Sequence, residues 1–155
     1  MDTHPPPGSE RFAGQHANLF AALVELCNRF RAESRIDCRI TLGEGHTHFD
    51  PDVRDVLYGT IRELLANVRQ HARATHVKVA SIAARDGSIR ISVTDNGIGF
   101  PAHWRAANPF AEDSGLALWS IDQRLRSFDA RLEIESSDKG TRATVVLPAQ
   151  LLTND

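Results

Sequence analysis

The hydrophobic pattern of this 155-residue chain predicts an α/β protein, a two-layer α/β sandwich with helices on one face of a mixed sheet. Three observations carry that expectation. Helix-period and strand-period segments follow one another as helix, strand, helix, two strands, helix, two strands. No internal repeat or linker divides them. A length of 155 residues suits one domain of ordinary size with room for a real core.

Residues 1–11 are rich in proline and polar side chains and predict a flexible tail. Over residues 12–35, Leu19, Ala22, Leu23, Leu26 and Phe30 recur at helical spacing. Arg39-Ile40-Thr41-Leu42 alternates and predicts a short strand; Gly43-Glu44-Gly45-His46-Thr47-His48 predicts a loop. His46 and His48 have no third ligand nearby, so a solvated loop is preferred to a metal site. Asp50-Pro51-Asp52 is a helix start: a capping acid, a first-turn proline and a second acid suited to the helix dipole. That helix is expected to run to Ala74, with Val53, Leu57, Ile61, Leu64, Leu65 and Val68 on its apolar side. Glu63, Asn67 and His71 lie four apart and form a second stripe within reach of one ligand. Polar residues on a helix commonly just face water, and that alternative stands for the stripe taken alone.

His76 to Ala84 alternates around Val77, Val79 and Ile82 and predicts a strand. Asp86-Gly87 is hairpin chemistry, and Ser88 to Thr94 alternates again as a strand ending at Asp95. Between Phe100 and Ser114 the periodicity breaks over a loop of lid length, with Trp104 and Phe110 to pack it down. Ser114-Gly115-Leu116-Ala117-Leu118 opens a helix carrying Leu118, Ile121, Leu125 and Phe128. Its start is a natural anion site, because unpaired N–H groups and the helix dipole point outward there. Arg131 to Glu135 predicts a strand, Ser136 to Gly140 a turn, and Thr141 to Leu147 a closing strand.

Composition narrows the partners. A formal charge of -2 gives no broad attraction to nucleic acid or anionic lipid, which leaves small molecules and proteins. The longest apolar run, Leu19 to Val24, has six residues, far short of the roughly 18 of a membrane span. The first residues lack the basic and apolar regions of a signal peptide. Cys27 and Cys38 are too far apart for a Cys-x-x-Cys site and too few for a disulfide framework, so reduced thiols are expected. A cytosolic location follows, either alone or as the cytosolic part of a membrane-anchored chain, with no membrane contact by this piece.

The most informative stretch is Asp95-Asn96-Gly97-Ile98-Gly99-Phe100-Pro101. An acid, an amide and two glycines follow a half-buried strand, so backbone is left bare where α/β proteins tend to place ligand groups. Asp-Asn-Gly is also good turn chemistry, and that reading stays open on this stretch alone.

Three separated stretches resemble one family, in order. Glu63-Leu64-Leu65-Ala66-Asn67 through His71-Ala72 resembles the N box of the histidine-kinase-type ATPases (the GHKL group). Asp95 to Phe100 resembles their G1 box. Gly115-Leu116-Ala117-Leu118, followed by Ile121-Asp122-Gln123-Arg124-Leu125, resembles G2, and Lys139-Gly140-Thr141 is similar to the family's last hairpin. The likeness covers about residues 36–148 and is nearest to sensor kinases with a short lid that work with helix-turn-helix response regulators. It implies the Bergerat ATP-binding fold over residues 36–150, with residues 12–35 as the tail of a dimerisation and phosphoacceptor domain. It implies ATP and Mg²⁺ as ligands, transfer of the γ-phosphoryl group to a histidine, and two-component signalling that reaches a response regulator indirectly.

Residue by residue, the resemblance assigns Asp95 to the adenine amino group, and Gly97 and Gly99 to passage of the base. It assigns Asn67 to Mg²⁺, Glu63 to the base or a water-mediated partner of the metal, and His71 to the neighbourhood of the nucleotide. Thr141 would support adenine, with Gly115, Leu116, Ala117 and Leu118 forming the second glycine box. Two positions depart from the family pattern. Gln70 stands where a lysine or arginine meets phosphate, with Arg69 beside it but turned about 100° away on a helix. Ala117 replaces the second glycine of G2. His16 lacks the acidic neighbour of a family phosphoacceptor, so the acceptor histidine is expected elsewhere. The alternatives are a degenerate regulatory binding module, favoured by Gln70 and Ala117, and a stand-alone anti-sigma-type serine kinase.

Overall fold

A computed structural model describes residues 18–43, 49–100 and 118–151. Helix α1 (Leu19–Ser34) opens at Asn18, whose side-chain oxygen accepts the Phe20 N–H at 2.8 Å. It closes at Arg35, which takes a left-handed φ of 62°. Strand β1 (Asp37–Thr41) follows, then helix α2 (Pro51–Asn67). Asp50 occupies the position before Pro51 as expected, but its carboxylate makes no capping hydrogen bond. Its backbone carbonyl instead accepts the Arg54 N–H at 2.9 Å, so its contribution is negative charge at the positive end of the helix.

The α2 helix does not continue unbroken to Ala74. At Val68 it widens into a π-helical turn, Val68–Ala72, and Arg73 at φ 52° ends it. Single π turns inside helices recur at functional sites. Here the turn frees the Ala72 carbonyl to accept the Ile98 N–H at 2.8 Å, from the segment after the third strand.

Strands β2 (His76–Ala83), β3 (Ile89–Asp95), β4 (Arg131–Ser137) and β5 (Gly140–Leu147) complete a five-stranded sheet in the order β1-β2-β3-β5-β4. Only the β1–β2 pair is parallel; the others are antiparallel, so the sheet is mixed as expected. Helix α3 (Leu118–Arg126) lies before β4. All three helices share one side: α1 packs on β1 and α2, α2 on β3, and α3 on β4 and α2. Val79, Ile91 and Val145 point inward from neighbouring strands to meet Leu57, Ile61, Leu65, Ile121 and Leu125 in one core. The opposite face carries the Arg90–Glu133 ion pair at 3.0 Å, with Arg131 on the same carboxylate.

Cys27 on α1 and Cys38 on β1 are free thiols, as expected, and both are buried. The fold brings their side chains into mutual hydrogen bonding, which holds the Cys27 thiol well above its ordinary pKa.

Candidate functional site

The inward alternation of β3 sets the site. Ile89, Ile91 and Val93 enter the core, and the next inward position is Asp95, a carboxylate only 8% exposed. It lies at the floor of a mostly apolar cleft between the sheet and α2. Burial pushes its carboxyl up from the usual range, and the backbone N–H groups of Gly97 and Thr141 pull it back by stabilising the ionised form. The Gly97 N–H donates to Asp95 Oδ1 at 2.8 Å.

The chain after β3 needs its two glycines for different reasons. A Cβ at Gly97 would overlap the Ala72 carbonyl, so the absence of a side chain lets this turn cross the end of the π-helical turn. Gly99 has φ 74°, and a Cβ there would overlap the Ser137 carbonyl. Asn96, between them and the strand, turns away from the cleft. Its Oδ1 accepts the Thr75 and His76 N–H groups, each at 3.0 Å, and so fastens the end of β3 to the start of β2.

Among the expected site residues, Asn67, His71, Asp95, Gly99, Leu118 and Thr141 all line this cleft. Gly97 backs it as described. Glu63 is half-buried one helical turn before Asn67, outside the cleft lining, so the expected three-residue stripe reaches the cleft through Asn67 and His71 alone. Gly115, Leu116 and Ala117 fall outside the described residues, as do His16, His46, His48, Trp104 and Phe110. Arg69 and Gln70 face a different groove, between α1 and α2, where Arg69 pairs with Glu33 at 3.6 Å. Neither side chain lines the Asp95 cleft, because the helix turns both onto the α1 side.

The cleft also uses residues that motif reading passed over. Leu64 and Val68 from the helix, Val93 and Ala143 from the strands, and Ile134 from β4 supply apolar walls for a flat ring. Leu64 and Val68 were already on the apolar side of the helix; for two of the strand residues the signal was position, Val93 lying two before Asp95 and Ala143 two after Thr141. Ser136 is the other omission. Its Oγ accepts the Phe100 N–H at 2.8 Å and lies 2.9 Å from Thr141 Oγ1, its partner across the β4–β5 pair. Among the described residues there is no group of three or more His, Cys, Asp or Glu able to hold a metal ion. Among the described residues, the cleft lining includes one side-chain amide, Asn67, and a buried acid, Asp95. That set suits an ion that arrives with its own oxygen ligands, as Mg²⁺ does on phosphates.

Comparison with known proteins agrees with this geometry. The family model described as "Histidine kinase-, DNA gyrase B-, and HSP90-like ATPase" matches residues 52–151. The sensor histidine kinase MctS of Rhizobium johnstonii is 31% identical over 130 residues, 84% of this chain and 27% of its own length. The sensor histidine kinase ComP of Bacillus subtilis is 29% identical over 128 residues, 82% of this chain and 16% of its own length. The chain therefore spans about a quarter or less of these relatives. Among solved structures, the histidine kinase domain of the Erythrobacter litoralis EL346 blue-light activated kinase superposes with a TM-score of 0.71 at 18% identity, covering 86% of this chain and 62% of that one. The mycobacterial kinase MprB gives 0.67 at 19% identity, over 84% of this chain and 95% of that one. The structural likeness carries the fold, and the family match carries the membership: the chain belongs to the histidine kinase-, DNA gyrase B- and HSP90-like ATPases, on the side of the sensor histidine kinases.

Proposed function

We propose that this chain is the ATP-binding catalytic domain of a sensor histidine kinase, passing the γ-phosphoryl group of ATP to a histidine on a separate dimerisation domain in two-component signalling. The observation that carries the reading is Asp95: a buried carboxylate held by two backbone N–H groups at the floor of an apolar cleft. Such a group can accept a hydrogen bond from an exocyclic amino group while the walls sandwich a ring. In this reading Asp95 selects adenine, and Thr141 beside it supports the same edge. Asn67 meets the Mg²⁺ that the phosphates bring, and the ion offsets their charge. His71 lies near the nucleotide. Glu63, one turn further along α2, acts as the base or through water on the metal. Most of the rate enhancement in such chemistry comes from positioning and charge stabilisation. Helix α1 connects the domain to the phosphoacceptor region, and a response regulator takes the phosphoryl group onward. No helix among the described residues is long and apolar enough to cross a membrane. In this reading the piece works in the cytosol.

The test has two arms. Mg²⁺-ATP is titrated into the purified chain, and the γ-labelled nucleotide is then supplied together with a histidine-bearing dimerisation domain from a related sensor kinase. Saturable binding with label on the supplied histidine is expected. In a parallel reaction with a small antagonist protein in place of that domain, label on its serine would favour the anti-sigma-type alternative, and no nucleotide binding at all would overturn the reading.

A further inference from the structure

We propose that the groove between α1 and α2 is a second ligand site, separate from the Asp95 cleft, which takes a small organic carboxylate with an apolar body. Two helical stripes of the same spacing build it. Leu26, Arg29, Phe30 and Glu33 lie at i, i+3, i+4 and i+7 on α1. Arg62, Leu65, Ala66 and Arg69 repeat that spacing from α2 into its π-helical turn. Leu26, Phe30 and Leu65 are buried and make an apolar floor. The space above it is about 350 Å³, within the range of small-molecule pockets. A partner helix does not fit whole, since one turn roughly 10 Å across and 5.4 Å long fills roughly 400 Å³.

The charge of the rim chooses the ligand. Three guanidinium groups, Arg29, Arg62 and Arg69, line the groove against one carboxylate, Glu33. A guanidinium does not lose its proton in a protein, so the groove is cationic within a chain whose formal charge is -2. Glu33 and Arg69, the last positions of the two stripes, meet across the groove at 3.6 Å. Arg29 lies about one turn back from Glu33, and Arg62 about two turns back from Arg69, so both rim the groove beyond that ion pair.

The ion pair shows which group the rim accepts: a carboxylate set beside apolar side chains. Each partner is 54% exposed, and a pair so exposed contributes little to stability. A ligand carboxylate can therefore replace Glu33 on Arg69, or lie between Arg29 and Arg62, at small cost. Its apolar body then covers Phe30 and Leu65. Both halves of the ligand are needed. A neutral apolar molecule leaves the guanidinium groups unanswered, and a bare anion leaves the floor wet.

The experiment titrates octanoate, octanol and acetate separately into the isotopically labelled chain at low salt and follows backbone amide shifts. Octanoate is expected to give saturable shifts at Leu26, Phe30 and Gln70, with octanol and acetate roughly ten-fold or more weaker. Glu33→Gln removes the resident carboxylate and should tighten octanoate roughly two- to five-fold, the scale of an exposed ion pair. Arg62→Gln and Arg69→Gln should each weaken it roughly three- to ten-fold. A loss of fold would weaken binding in every variant, so the opposite sign at Glu33 separates ligand recognition from damage. Octanol binding as tightly as octanoate would reduce the site to an apolar groove and overturn the proposal. Octanoate shifts confined to Val93 and Ala143 in the Asp95 cleft, or parent affinity in all three variants, would overturn it too. So would the absence of saturable shifts in the groove, the result expected if a protein surface is its occupant instead.

Discussion

Replacing Asp95 with asparagine separates a ligand-reading carboxylate from an ordinary turn residue. The side chain is 8% exposed and keeps its shape in the variant. Asparagine retains an oxygen for the Gly97 N–H, which Asp95 Oδ1 accepts at 2.8 Å. It loses the charge and can place an amide N–H against the amino group of the base. A hydrogen bond to a charged group contributes about 1.5–3 kcal/mol, so ATP affinity should fall roughly ten- to a hundred-fold or somewhat more. Stability should move differently. Burial raises the Asp95 carboxyl above the usual carboxylate range, so between the unfolded and folded pKa values the native state binds more protons than the unfolded one. Stability contributed by this group therefore declines as pH rises through that window, and its ionised form is a net cost at neutral pH. Asp95→Asn removes that cost, so the variant should be at least as stable as the parent at neutral pH and should lose this part of the acid-side slope. Calorimetric titration gives the affinity, and urea unfolding from acid to neutral pH gives the stability. A well-folded Asp95→Asn chain with parent ATP affinity would refute the reasoning.

Three further substitutions probe the surroundings. Asn67→Ala should shrink the ratio of ATP affinity measured with and without Mg²⁺; an unchanged ratio would take Asn67 away from the ion. Gly99→Ala should cost about 1–2 kcal/mol from the left-handed φ alone, and more because its Cβ meets the Ser137 carbonyl; urea unfolding at parent stability would contradict this. Asp122, 5% exposed, accepts from Arg126 Nε at 2.7 Å and the Leu132 N–H at 3.3 Å, and so ties α3 to β4 outside the cleft. Asp122→Ala should cost about 1–3 kcal/mol with ATP affinity per folded molecule unchanged, and a selective loss of affinity would contradict a purely structural role.

The strands were legible because each obeys one period. Val77 and Val79, and Ile89 to Asp95, alternate, and the sheet uses that alternation to choose its buried face, whereas Ala143 to Leu147 is buried throughout. Asp95 stood out because an acid, an amide and two glycines end a half-buried strand, Asn67 and His71 through a polar helix stripe and motif resemblance, and Thr141 through motif resemblance. The π-helical turn at Val68–Ala72 was not legible. Nothing in Val68-Arg69-Gln70-His71-Ala72 breaks the helical pattern, and the turn is completed by a hydrogen bond from Ile98, far along the chain. The same nonlocality hid the Cys27–Cys38 contact across α1 and β1. It also concealed Ser136, whose neighbours Phe100 and Thr141 meet only once β4 and β5 pair. Arg69 and Gln70 show the converse limit. The family resemblance set Gln70 where a cation meets phosphate, with Arg69 beside it, whereas the helix turns both toward α1.

The central claim is that the Asp95 cleft holds the adenine nucleotide, and backbone amide chemical shifts test it most directly. With Mg²⁺-ADP titrated into the isotopically labelled chain, the account predicts saturable shifts concentrated at Gly97, Ile98, Thr141 and Ala143. Leu26, Phe30 and Gln70, along the α1–α2 groove, should stay in place. Shifts clustered in that groove, or none around Asp95 at saturating nucleotide, would contradict it.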